Sequence, residues 1–252
     1  MAADDDTARP DVTPALTFTK AMRRATCVHE AAHAVFYALG GVSVYRMAVA
    51  PEGCTDWSIE SWKGDLCGWC EASEFFGLDY LSWCPDEYGG AYRPSLNAWR
   101  SLQSQIPLSG RHESNRITRA HICALLAGPI AGGILDNAVD GDEFEAVDYD
   151  DFEAVDYIGG YVLAGGLRRG NDIAIAEGLA TLLYSRNEYD HLATLTLATL
   201  RRPDVWAMVL RLAGKLERLG DIVEFPGLLP EAVPHWPPSP RAKRRNFALV
   251  AV

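Results

Sequence analysis

Cys27-Val28-His29-Glu30-Ala31-Ala32-His33-Ala34-Val35-Phe36 sets two histidines four residues apart in a run free of helix breakers. Four residues is just over one helical turn, so both imidazoles emerge on one face and can reach one ion. Around them Val28, Ala32, Val35 and Leu39 recur at helical spacing, which predicts a helix over Thr19 to Leu39. Gly40-Gly41 then supplies a left-handed stop. Val42 to Ala50 alternates and is rich in β-branched residues, which predicts a strand turned off by Pro51-Glu52-Gly53. The opening unit is helix, tight turn, strand.

Chemistry enters with Glu30. A catalytic zinc takes imidazole nitrogens and keeps one position open, and a glutamate beside that position is placed to act as general base for water attacking an amide. The competing account is an amphipathic helix with two polar histidines. A third protein ligand has to come from downstream. Asp172, in Gly170-Asn171-Asp172-Ile173-Ala174-Ile175-Ala176-Glu177, is favoured because it opens a helix, where a carboxylate is stabilised by the backbone dipole. An ordinary helix N-terminal Asp fits the same pattern, and Asp136 and Glu177 are the other acids for the place.

The net charge of -11 argues against a nucleic-acid partner, since phosphate contacts need a basic footprint and the one basic cluster, Arg241 to Arg245, lies in the tail. Six cysteines behind an acidic N-terminus without an apolar core fit a reducing compartment, so the cytoplasm is expected. The apolar stretch His121 to Leu135 is short for a bilayer and is interrupted by Gly128-Pro129, which predicts a buried core helix and no membrane span. That helix is expected to be capped at Ser114 or Thr118.

Further helices are predicted at 171–185, 188–200 and 203–218, the last opening at Pro203-Asp204 and closing at Gly220. The expected fold is therefore mainly α over 17–229 with a short β element, and the His29-Glu30-Ala31-Ala32-His33 motif, which resembles that of zinc peptidases, makes a helical zincin-like metallopeptidase domain the expectation. Residues 1–16 are expected to be an acidic disordered arm, and 230–252 an extended, poorly ordered Pro-rich basic tail. An acidic connector at about 137–160 repeats Phe144-Glu-Ala-Val-Asp-Tyr149 as Phe152-Glu-Ala-Val-Asp-Tyr157, a local duplication.

Residues 52 to about 112 lack sustained periodicity and carry Trp57, Trp62, Trp69 and Trp83, so they are expected to form an irregular insertion. Within it Cys67-Gly68-Trp69-Cys70, with Cys54 upstream and Cys84 downstream, offers four thiols to a second, structural zinc. The outer two are single rather than a second Cys-x-x-Cys, and buried or free thiols are the alternative. His112, His121, His191 and His235 are scattered and read as surface or core histidines.

Taken in order, these motifs resemble the peptidase domain of the FtsH family, the M41 metallopeptidases. His29 to His33, Gly40-Gly41 and Val42 to Gly53 are similar to that family's His-Glu-Ala-Gly-His helix, turn and strand. Leu125 to Gly133 resembles its Leu-Gly-Gly-Arg-Ala-Ala-Glu-Glu helix, and Arg169-Gly170-Asn171-Asp172-Ile173 with Ala176 its Gly-x-x-Asn-Asp-Leu-x-x-Ala segment. Trp206 to Leu219 with Gly220-Asp221 is similar to its closing helix. The resemblance implies zinc-dependent endopeptidase activity on protein or peptide substrates, Asp172 as third ligand, and a homo-oligomeric ring.

Three departures stand out. Ala32 takes the place of the motif glycine. Gly132-Gly133 replace paired glutamates, leaving Asp136 as the nearby acid for any outer support. The chain has no Gly-x-x-x-x-Gly-Lys-Ser/Thr loop, so an ATPase or unfoldase would have to act in trans. The rival function is a non-catalytic, zinc-stabilised interaction module whose binding surface is the tryptophan-rich insertion.

Overall fold

The computed structural model describes residues 18–54, 68–84, 91–139, 172–183 and 187–238, with the side chains of 136–139 excepted. The predicted acidic arm, Trp57, Trp62, Cys67, the duplicated acidic segment and Arg241 to Arg245 lie outside the described residues. Six helices and five short strands make up what is described, so the chain is mainly α-helical.

Helix α1, Lys20–Leu39, is the centre of the molecule. Thr19 caps it, its hydroxyl accepting from the Met22 amide at 3.2 Å. The predicted stripe is in fact a girdle: Cys27, Val28, Glu30 to Phe36 and Leu39 are all buried, because other elements pack around most of the helix. Of the two stop glycines, Gly41 adopts the left-handed conformation at φ 73°. Gly40 does a different job: a Cβ there would stand 2.5 Å from the Ala120 Cβ of a crossing helix.

Strand β1, Val44–Val49, follows and becomes the middle of a three-stranded antiparallel sheet. One neighbour is β2, Gly68–Ala72, in register Met47 to Cys70 and Val49 to Gly68. The other is the two-residue β5, Asp221–Ile222. Lying between two strands and against α1, β1 buries Met47, Ala48 and Val49 on both faces, which is why its period-two pattern ends halfway along.

The stretch expected to be irregular is built more regularly than its sequence suggests. After β2, a 3-10 turn at Phe76–Tyr80 leads into an antiparallel hairpin of β3, Leu81–Cys84, and β4, Ala91–Pro94. Helix α2, Leu96–Gln105, then buries Trp99 at 1% exposure against Phe76 and Tyr80. Aromatic packing, rather than hydrophobic periodicity, organises this part, so short strands of four or five residues left no readable period.

Helix α3, Leu108–Val139, spans 32 residues and starts well before the caps predicted for it. Ser114 and Thr118 lie inside it: Ser114 accepts from Gln103 Nε2 at 2.9 Å, and Thr118 donates back to the Ser114 carbonyl at 2.8 Å. Nor does Gly128-Pro129 interrupt it. A mid-helix proline costs about 3 kcal/mol, and burial of Leu126, Ile130, Ala131 and Ile134 around it offsets that. Extended to Leu108, this helix is long and apolar enough to cross a membrane, but 83% of its most apolar window is buried inside the protein, the pattern of a core helix.

Three further helices complete the set: α4, Asp172–Thr181, α5, Glu188–Leu200, and α6, Pro203–Leu219. Pro203 opens α6 and Gly220 closes it at φ 75°, as its sequence predicts. Helix α5 runs beside α3 and is pinned by a buried pair, with Arg119 donating to both Glu188 oxygens at 2.8 and 3.0 Å. The start of the predicted loose tail is packed down. Trp236 is 7% exposed, meets Phe36 edge-on, and its carbonyl accepts from Arg116, while the Val233 amide donates to the Leu39 carbonyl.

Candidate metal centre

Helix α1 crosses α3 and presents His29 and His33 toward the first residue of α4. Asp172 Oδ2 lies 3.1 Å from His29 Nε2 and 3.2 Å from His33 Nε2. One ligand atom from each of these three residues lies within 4.8 Å of the others, and among the described residues no other group of three metal-binding side chains does so. The first and last members are 143 residues apart in sequence, so the fold, not local spacing, supplies the third donor.

The outer contacts fix the donor atoms. His33 Nδ1 stands 2.6 Å from the Ala124 carbonyl oxygen of α3, which can only accept, so Nδ1 carries the hydrogen and Nε2 is left to face Asp172. The two rings meet edge-on at 81°, with centroids 4.6 Å apart. Burial is graded: the side chain of His33 is 7% exposed, that of His29 26% and that of Asp172 30%, so the cluster has a closed back and an open front.

Electrostatics draw His33 and Asp172 together. Burial acts to lower the His33 pKa, but the Asp172 charge and hydrogen bond overcome it and raise it. Burial works the other way on Asp172, and His33 and His29 together pull it well below the usual carboxylate range. Each group favours the charged form of the other, so the two are drawn together.

Glu30 lies one residue after His29 and is 7% exposed. Burial pushes its carboxyl upward, with His29 and His33 pulling it partly back. Strand β2 closes over it: a Cβ at Gly68 would stand 2.8 Å from Glu30 Oε1 and 2.4 Å from Thr26 Cγ2. A carboxyl whose pKa burial raises, in a sheltered position beside three converging side chains, is suited to taking and returning a proton.

The floor of the site tests whether an ion fits. Gly128 of α3 passes directly beneath both rings, and a Cβ there would come within 2.5 Å of His33 Nε2 and 2.7 Å of His29 Nε2. Only a glycine leaves those nitrogens uncrowded. Two imidazole nitrogens and one carboxylate oxygen, with an open side, are the donor set and access expected of a catalytic zinc, and the residues present fit it.

The structure thus brings together His29, Glu30, His33 and Asp172. Glu177 is exposed on α4 and outside the cluster, and the side chain of Asp136 lies outside the described residues. Cys54, Cys70 and Cys84 are half-buried free thiols that form no three-residue metal group; Cys67 is outside the described residues. Burial, and then the charges of Glu30 and Asp172, push the Cys70 thiol well above its ordinary range.

Two parts of the site were not anticipated. The Ala124 carbonyl carries no sequence signal, because every residue has one. Gly128 had one: an isolated glycine amid an apolar helical run marks close approach. No protein-family model matches this chain, and no curated protein matches it.

Proposed function

We propose that this chain is a zinc-dependent endopeptidase acting on protein or peptide substrates, related in its site to the FtsH-like M41 peptidase domain. The observation that carries the proposal is the convergence of His29 Nε2, His33 Nε2 and Asp172 on one point beside the buried Glu30. His29, His33 and Asp172 would hold the ion. A zinc ion bound there supplies a Lewis acid that polarises a scissile carbonyl and acidifies water.

The remaining work belongs to the chain. Glu30 accepts the proton of the attacking water at a carboxylate oxygen and returns it to the leaving amide nitrogen, a shuttle that its raised pKa favours. The Ala124 carbonyl keeps His33 in the tautomer that presents Nε2. Gly68 leaves room for Glu30 under β2, and the partial exposure of His29 and Asp172 marks the side from which substrate enters. The motif order shared with the FtsH family supports the same reaction, and an unfoldase acting in trans would supply extended chains.

Glu30→Gln separates catalysis from metal binding. It is expected to retain about one zinc per chain and to lose at least about 100-fold in casein or peptide hydrolysis. Hydrolysis at the wild-type rate by the zinc-loaded variant would overturn the mechanism. Loss of partner binding on chelation, in a wild type that cleaves nothing, would point instead to the zinc-stabilised interaction module.

A further inference from the structure

The stretch between β1 and α3 has no counterpart in the motifs that suggest a peptidase, yet it touches the site from two directions. Its strand β2 lies over Glu30, as Gly68 shows. Its hairpin reaches the far side: β4 packs on α4, the helix whose first residue is Asp172. The contact is backbone-close. A Cβ at Gly178 would stand 2.7 Å from Tyr92 Cβ, and 3.3 and 3.4 Å from the two methyls of Leu81.

We propose that the β3–β4 hairpin is a positioning element of the metal centre, seating Tyr92 and Leu81 on Gly178 and so setting where α4 presents Asp172. The proposal rests on the metal-site assignment above. Helix α4 is short, at ten residues, and packs chiefly against α3 and the hairpin. Gly178 lies about 9 Å along the helix from Asp172, close enough for the two to move as one rigid body.

The tolerances make the coupling consequential. Metal–ligand distances accept errors of only about 0.2 Å. Apolar carbons prefer separations of about 3.5–4.0 Å, so a methyl at Gly178 would force the hairpin and α4 apart by roughly 1 Å. His29 and His33, on a different helix, would stay in place. Such a shift would therefore loosen one ligand of three without altering any ligand's identity.

The test compares zinc affinity, by competition against a chromophoric chelator, in wild type, Gly178→Ala, Leu81→Ala and the double variant Gly178→Ala/Tyr92→Gly. Visible absorption of the Co2+-loaded proteins reports the coordination geometry. Alanine is a better helix former than glycine, so apo Gly178→Ala is expected to fold. Its zinc affinity should fall about tenfold or more with an altered Co2+ spectrum, and removing the opposing Cβ in the double variant should restore both.

Zinc affinity and Co2+ spectrum equal to wild type in Gly178→Ala would overturn the proposal. Should that variant not fold, Leu81→Ala decides: weaker zinc binding supports the positioning role, and unchanged binding refutes it. A wild type that binds no zinc, as tested beside His33→Ala, would remove the metal-site assignment itself. That outcome is distinct from variants that bind as the wild type does.

Discussion

The histidines of α1 and the cysteines of the following segment are both groups of metal-binding side chains close in sequence, and the backbone treats them differently. His29 and His33 share one helix, so their separation is fixed by helical geometry before any tertiary contact forms. Cys70 sits on a strand of the three-stranded sheet, Cys84 ends a strand of the separate hairpin, and Cys54 follows a turn. Their proximity in sequence carries no geometric promise. Spacing constrains where side chains meet when one rigid element imposes it, and constrains little when each residue belongs to a different element.

Three experiments sharpen this contrast. The largest effect belongs to His33→Ala, which removes a donor that α1 holds at 7% exposure. Zinc affinity should fall by more than the ~100-fold typical of outer-contact changes, while Cys70→Ser and Cys84→Ser leave it unchanged. Chelator competition on the four proteins gives the answer, and a cysteine variant that lost its metal would erase the distinction.

Gly128→Ala comes next. The new methyl would press on both imidazole nitrogens, so zinc affinity is expected to drop by about 10–100-fold even though alanine favours the helix. Isothermal titration with zinc measures it; binding at wild-type strength would mean that α3 lies farther from the rings than the structure places it.

The last effect is on stability rather than on metal binding, and concerns a histidine of the core. His121 is buried between Phe75 and Tyr37, and burial lowers its pKa from 6.5 to about 4. The unfolded chain binds the proton near pH 6.5 and the folded chain resists it until about pH 4. Stability is therefore full above pH 6.5 and is withdrawn as pH falls toward 4, by on the order of 2–3 kcal/mol. In urea titrations of the metal-free protein His121→Phe should lose part of the acid slope between these values, and an unaltered slope would assign that slope to other groups.

What was legible in the sequence follows the same physical line. Helices α1, α5 and α6 carry period, caps and stops within a few residues of one another, and their observed bounds match the predicted ones closely. Asp172 needed the order of the surrounding motifs, because a helix N-terminal carboxylate is common for reasons unrelated to metals. The start of α3 was hidden because its first turns are polar and half-exposed, and the hairpin because strands of four residues barely register a period of two. Trp236 docks a proline-rich segment that composition alone marks as loose: a single large aromatic can anchor it.

Metal stoichiometry is the most direct test of the central claim. Wild type, Asp172→Ala and the Cys67→Ser/Cys70→Ser double variant should be purified alike and their zinc counted by mass spectrometry. About one zinc per chain is expected in wild type and in the cysteine variant, and almost none in Asp172→Ala. Full zinc retained by Asp172→Ala, or lost from the cysteine variant, would contradict the account.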